Sequence, residues 1–218
     1  MEVMETTPKI SGGIYLVLDP AMKQDLLLTK LAAALTGGLQ VVQIWNNWLP
    51  DADKLKLIEA IAILCQPYKV PLLINDDWHL LAQSPYLQGV HFDDVPAEFD
   101  VIKADVGKPF LAGVTCSGNL DTVIWANDNH LDYISFCAMF PSPSAGSCDI
   151  VMPATVRQAG NISSMPIFVS GGITPQNISI LKKETPFDGV AVISGILSAD
   201  EPQQKVQLYK DALASTLQ

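Results

Sequence analysis

The stretch IFVSGGITPQN, Ile167 to Asn177, holds a strand, a turn and a helix start in close succession. Ile167–Val169 is a short apolar run of the kind that forms a strand buried on both faces. Gly171 and Gly172 end it, and paired glycines allow positive φ and close approach of the backbone to a ligand. Thr174 then offers a helix N-cap, with Pro175 at the first helical position. A strand that passes through a glycine turn straight into a helix is half of a parallel β/α unit.

The same order recurs along the whole chain. Strands are expected at Ile14–Leu18, Leu39–Ile44, Pro71–Ile74, Gly89–Phe92, Phe110–Thr115, Tyr133–Phe136, Ile167–Val169 and Gly189–Ile193. Helices are expected at Lys23–Thr36, Ala52–Cys65, Trp78–Ala82, Ala97–Val106, Leu120–Asn129, Pro153–Ala159, Pro175–Lys183 and Pro202–Ala214. Leu57, Ile58, Ile61 and Leu64 carry the spacing of one buried helical stripe. Eight strand-then-helix units make a parallel sheet, and eight is the number that closes a barrel. The alternative is an open doubly wound sheet, but no GxGxxG follows the first strand. The fold class is therefore α/β, a single (β/α)8 TIM barrel over residues 1–218, with its core at about 14–197 and a C-terminal helix at 202–214.

Length and composition agree. The 218 residues suit one barrel, which takes about 200–250. The 49% apolar content can fill its core. Net charge is −10, and Arg157 is the only arginine. That balance argues against nucleic acid and against anionic membranes, both of which need clustered Lys and Arg. No run approaches the roughly 18 apolar residues of a membrane span. The acidic start, Met1 to Glu5, lacks a signal peptide's basic region, so a cytoplasmic protein with reduced thiols is expected. Oligomeric state is left open, a homo-oligomer included.

In a barrel the site lies at the C-terminal strand ends. Gly171-Gly172 after strand seven and Ser194-Gly195 after strand eight could hold a phosphate on backbone N–H groups. Alternatively, both are plain tight turns. Asp76-Asp77 and Asp93-Asp94 end strands three and four, and one aspartate from each pair could share a magnesium ion. Alternatively, Asp77 and Asp94 cap the helices that follow them. Cys116, Cys137 and Cys148, with His91, could form a thiolate metal site, but their spacing matches no zinc motif and buried cysteine usually packs as a small hydrophobe. Trp45 and Trp48 at the end of strand two either pack or stack on a planar ring.

The segments Gln43-x-Trp45, Ile74-Asn-Asp-Asp77, Gly89-Val-His91, Gly113-Val-Thr115, Asp132-Tyr-Ile134, Phe140-Pro-Ser-Pro-Ser144, Gly171-Gly-Ile-Thr-Pro-Gln-Asn177 and Gly189-Val-Ala-Val-Ile-Ser194, in that order, resemble the thiamine phosphate synthase family, with which the thiazole tautomerases share a fold. The resemblance implies a TIM-barrel transferase of thiamine biosynthesis. Such an enzyme joins hydroxymethylpyrimidine diphosphate to thiazole phosphate and releases pyrophosphate with the help of magnesium. It implies catalytic roles for Gln43, Asn75 and Thr115, phosphate contacts from Ser142, Ser144, Gly171, Gly172, Ile193 and Ser194, and magnesium ligands in Asp76 and Asp94. It also shows departures. Trp45 stands where the family has an arginine, and Asn47 and Ala145 stand where it has lysines, all three cations directed at pyrophosphate. No Lys or Arg lies between Pro71 and Ile102, or between Pro109 and Val156, so no replacement is visible in the sequence. Ser117 falls near the position of the tautomerase histidine. A non-catalytic or regulatory binder of a phosphorylated heterocycle, or a tautomerase-like enzyme, therefore stands beside the synthase as an alternative.

Overall fold

The computed structural model describes residues 9–142 and 149–215. Eight parallel strands close into one barrel, in order around the ring, with β8 pairing back onto β1. The strands are β1 Gly13–Leu18, β2 Val41–Ile44, β3 Leu72–Asn75, β4 Gly89–Phe92, β5 Leu111–Thr115, β6 Tyr133–Phe136, β7 Ile167–Val169 and β8 Gly189–Val192. The helices are α1 Gln24–Thr36, α2 Lys54–Cys65, α3 Trp78–Gln83, α4 Phe99–Val106, α5 Leu120–Asp128, α6 Pro153–Ile162, α7 Pro175–Glu184, α8 Ser194–Leu197 and α9 Pro202–Ala214.

All eight expected strands are present, some trimmed at one end by one or two residues. The helices differ more: α2 begins at Lys54 rather than Ala52, and α6 runs on to Ile162 rather than ending at Ala159. α4 begins at Phe99 rather than Ala97, because Pro96 and the residues around it form the loop after β4. The four residues from Ser194, expected as a turn, form the short helix α8. Among the described residues, no helix is long and apolar enough to cross a membrane.

Strand alternation divides the interior into two apolar bodies. Ile14, Leu16, Leu18, Val42, Ile44, Leu72 and Ile74 point outward into the main core beneath the helices, where Leu27, Leu31, Ile58 and Ile61 meet them. The opposite parity fills the barrel lumen with Tyr15, Val17, Val41, Leu73, Leu111, Tyr133 and Phe168. Three of those lumen residues are large rings in edge contact, with centroids 5.4–5.7 Å apart. They fit because the facing strand positions are small. A methyl group on Gly113 would overlap the Tyr133 ring, and one on Gly189 would overlap Phe168.

Candidate active site

Above the aromatic layer the lumen turns polar. Gln43, His91 and Ser135 are buried on inward positions of β2, β4 and β6, although their strands read as apolar runs. Tyr15 donates its hydroxyl to Gln43 Oε1. The Tyr15 and Tyr133 hydroxyls lie 2.9 Å apart. Tyr133 Oη is 2.9 Å from His91 Nδ1, and His91 Nε2 is 2.9 Å from Thr115 Oγ1. A continuous hydrogen-bonded chain thus crosses the barrel from β2 to β5. Burial pushes both tyrosine hydroxyls far above their usual range, so both stay protonated. Burial also pushes His91 down to about 4, against a smaller opposing pull from Asp93, so the imidazole is neutral.

The β3 and β4 tips are bound together by their own polar groups. Asn75 is buried, and its amide donates to His91 O at 3.3 Å and to Asp93 Oδ1 at 2.9 Å. Its oxygen accepts from Asn46 N at 3.3 Å, so Asn75 braces three strand ends at once. Asp76 adopts positive φ (55°), a conformation that aspartate tolerates better than most residues. Its N–H donates to His91 O, and its carboxylate accepts from Asp93 N, both at 2.9 Å. Burial, followed by the charges of Asp93 and Asp94, pushes the Asp76 carboxyl up to about 6. Asp76, Asp93 and Asp94 line one cleft of about 520 Å³ floored by Trp78, Phe92 and Ile102.

Asp77 caps α3 by accepting from Leu80 N, as the helix-cap alternative expected. Asp94 caps nothing, because α4 starts later, after Glu98. A crowded set of carboxylates, one of them held partly protonated, is a donor set that suits a hard divalent cation. Among the described residues no three His, Cys, Asp or Glu side chains form a closed ligand set. Magnesium does not need one, since it commonly binds through one or two carboxylates and keeps several waters. The thiolate alternative is not assembled. Cys116 packs in the outer core, whereas both His91 ring nitrogens are engaged inside the barrel. Cys148 lies outside the described residues.

Where the resemblance implies cations, the rim is neutral or engaged. Trp45 packs with Ile193 against the lumen cluster. Asn47 donates to Asp19 Oδ1 at 2.9 Å. Trp48 packs on the outer core. One lysine approaches this side from outside the two stretches that lack Lys and Arg. Lys54, at the start of α2, lies 3.2 Å from Asp77 and 5.4 Å from the Trp48 ring centroid. It belongs to the segment between β2 and β3. Ala145 and Ser144 lie outside the described residues, while Ser142 lies in the loop after β6.

The opposite side of the mouth is backbone. Gly171 and Gly172 both have positive φ (78° and 66°). Among the described residues, the N–H groups of Gly171, Gly172, Ser194 and Gly195 donate to no hydrogen bond. The turn is held from behind. Thr174 and Asn177 form a reciprocal capping box, and Asn177 also donates to Gly172 O at 2.9 Å. Tyr209 of α9 donates to Ile173 O at 2.9 Å. The glycines also pack closely. A methyl on Gly171 would meet Ala138 Cβ at 2.5 Å, and one on Gly172 would meet Pro141 O at 2.8 Å. Sequence reasoning missed Tyr15, Tyr133 and Tyr209. The one available signal was a hydroxylated ring at an inward parity in a strand.

Residues 14–196 match the family model described as thiamine monophosphate synthase. The chain is 29% identical over 205 residues to a thiamine-phosphate synthase of Nitrosococcus oceani, covering 93% of each chain. It is 31% identical over 198 residues to that of Xylella fastidiosa, covering 91% of this chain and 83% of the relative. A thiamine phosphate pyrophosphorylase from Pyrococcus furiosus superposes with a TM-score of 0.77 at 18% identity, covering 92% of this chain and 95% of that one.

Proposed function

Since this chain belongs to the thiamine monophosphate synthase family, we propose that it acts in thiamine biosynthesis, joining hydroxymethylpyrimidine diphosphate to thiazole phosphate with release of pyrophosphate. The observation that carries this reading is the two-sided mouth. The amides of Gly171 and Gly172 after β7 and of Ser194 and Gly195 at the start of α8 donate to no described residue, and the buried polar chain ends in Gln43 and Thr115 on the other strands.

In this reading the amides hold the thiazole phosphate, since oriented N–H groups bind phosphoryl oxygens without any side-chain cation. Ile193 and Ser142 border that phosphate. Gln43 and Thr115 hold the pyrimidine ring. Asn75 sets the spacing of the β2, β3 and β4 tips, and so aims both the ring site and Asp76. Asp76, with Asp94 or Asp93, would hold magnesium, which would supply positive charge to the departing pyrophosphate. The protein's part is to place the thiazole nitrogen against the pyrimidine methylene carbon and to keep bulk water from that carbon. The nitrogen forms a bond to that carbon as the carbon–oxygen bond to diphosphate breaks.

Purified protein given both substrates and magnesium is expected to form thiamine phosphate, and Asp76→Asn is expected to abolish turnover. A second reading, a binder without turnover, draws on Trp45, Asn47 and Lys54, which leave no free cation on the β2 side of the mouth among the described residues. Absent turnover together with a clear rise in melting temperature on adding thiazole phosphate would favour it.

A further inference from the structure

The two halves of the backbone site come from separate segments, residues 171–173 after β7 and residues 194–195 at the start of α8. Between described residues, no hydrogen bond runs directly from one turn to the other. One side-chain atom touches both. Tyr209 of α9 is buried, and its hydroxyl donates to Ile173 O at 2.9 Å. The same oxygen stands so close to Gly195 that a methyl added there would overlap it. Gly195 does not have positive φ, so its missing side chain is a matter of space and not of backbone conformation.

α9 is itself fixed to the helices around it. Lys30 of α1 donates to Ala199 O just before α9 begins. Lys210 of α9 donates at 3.1 Å to Gly37 O, just past the end of α1. Lys182 of α7 donates to Leu213 O and, at 3.2 Å, to Ser215 O at the far end of α9. Val206 is fully buried where α9 meets Gly37, too close for a side chain at that glycine. The helix is thus tied near its start, middle and end, and the Tyr209 ring is held in place with it. A phenol fixed in this way is a spacer. It draws on the β7 turn through Ile173 O and bears on the α8 turn at Gly195.

We infer that Tyr209 is a positioning residue that sets the distance between the two turns, so that the N–H groups of Gly171, Gly172, Ser194 and Gly195 close on one phosphoryl group of the thiazole substrate. A backbone N–H holds an oxygen well only at about 2.7–3.2 Å, and its hold weakens steeply as the bond bends. Donors on two turns meet one phosphate within those limits only if the turns keep their spacing. Tyr209 need not touch the ligand, since its hydrogen is spent on Ile173 O. The inference rests on the synthase reading for the identity of the phosphate ester, but the spacer stands independently of it.

Calorimetric titration, carried out well below each variant's melting temperature, tests this without needing turnover. Tyr209→Phe keeps the ring and removes the tie to Ile173 O. It should raise the dissociation constant of thiazole phosphate about tenfold, the lower end of what one charge-assisted hydrogen bond contributes. The dissociation constant of hydroxymethylpyrimidine diphosphate with magnesium should stay within about twofold, because that ligand lies toward the carboxylates. An equal loss for both ligands would mean a general loosening of the fold and overturns the inference, as does an unchanged constant for thiazole phosphate. Gly195→Ala supplies the second arm. Its methyl pushes on the Tyr209 hydroxyl and should weaken thiazole phosphate as well. Because the two substitutions act on one contact, the loss in the double variant should fall well short of the product of the separate losses. Losses that multiply, or no binding of thiazole phosphate by the wild type, overturn the inference. Binding that depends on Tyr209 without uptake of the diphosphate or formation of thiamine phosphate leaves it standing and fails the synthase reading alone.

Discussion

His91 shows how far a neighbourhood can set one residue's chemistry. The sequence offers it, with Cys116, Cys137 and Cys148, as a candidate ligand of a thiolate metal site. In the fold the ring stacks on Tyr133 at 14° between planes and has both nitrogens paired. Burial is the larger influence and the Asp93 charge the smaller, so the folded ring takes up a proton only near pH 4, against 6.5 when unfolded. A depressed folded value means that the unfolded chain binds the proton first as pH falls. The stability that this group contributes is present above about 6.5 and is lost on acidification from there to about 4, amounting to about 3 kcal/mol. Ring NMR signals of His91 should show a midpoint near 4, and a midpoint at or above 6.5 would contradict the burial account. Gln43 and Thr115 were legible through the family resemblance, because they sit at strand ends. Tyr15 and Tyr133 were not legible, because their strands read as uniform apolar runs. Only ring closure reveals which parity faces the lumen, and so which hydroxyls must find partners there.

The same limit appears at the scale of strands and turns. The IFVSGGITPQN unit folds as its residues dictate, with Thr174 capping and Pro175 opening α7. What that unit leans on comes from distant segments: Ala138 and Pro141 beneath the glycines, and Tyr209 beneath Ile173. α8 was missed because four residues are too few to show a helical period. Two substitutions test this packing. Gly113→Ala sets a methyl against the Tyr133 ring and should destabilise the barrel by about 1–3 kcal/mol, read as a shift in denaturant midpoint. An unchanged midpoint would mean that the lumen layer is looser than described. Tyr209→Phe removes one buried hydrogen bond to the β7 loop and should cost about 1 kcal/mol, or about 2–4 °C in melting temperature. If the loop shapes the phosphate site, the same variant should also weaken thiazole phosphate binding; equal affinity would detach α9 from that site. Gly172→Ala is a poor probe of ligand contact, since its methyl would strike Pro141 O before any ligand arrived.

For the whole molecule, eight β/α units in the sequence were enough to predict the barrel, and closure placed the strand-end residues on one rim. The charge layout of that rim was only partly legible. That Trp45 and Asn47 carry no charge could be read directly. The pairing of Asn47 with Asp19, of Lys54 with Asp77 and of Asp76 with Asp93 could not, because each joins residues from different loops. Among the described residues, the mouth that results has unpartnered amides on one side and carboxylates on the other, and Lys54 at its β2 side is paired with Asp77. A synthase built this way must lean on magnesium more heavily than one with side-chain cations, so turnover should fall to background on chelation and return with added magnesium. Turnover that survives chelation would remove the metal from the account. The most direct measurement is the yield of thiamine phosphate when purified protein is given hydroxymethylpyrimidine diphosphate, thiazole phosphate and magnesium. The account predicts product that accumulates with time and disappears in Asp76→Asn; no product from the folded wild-type protein, or equal product from the variant, would contradict it.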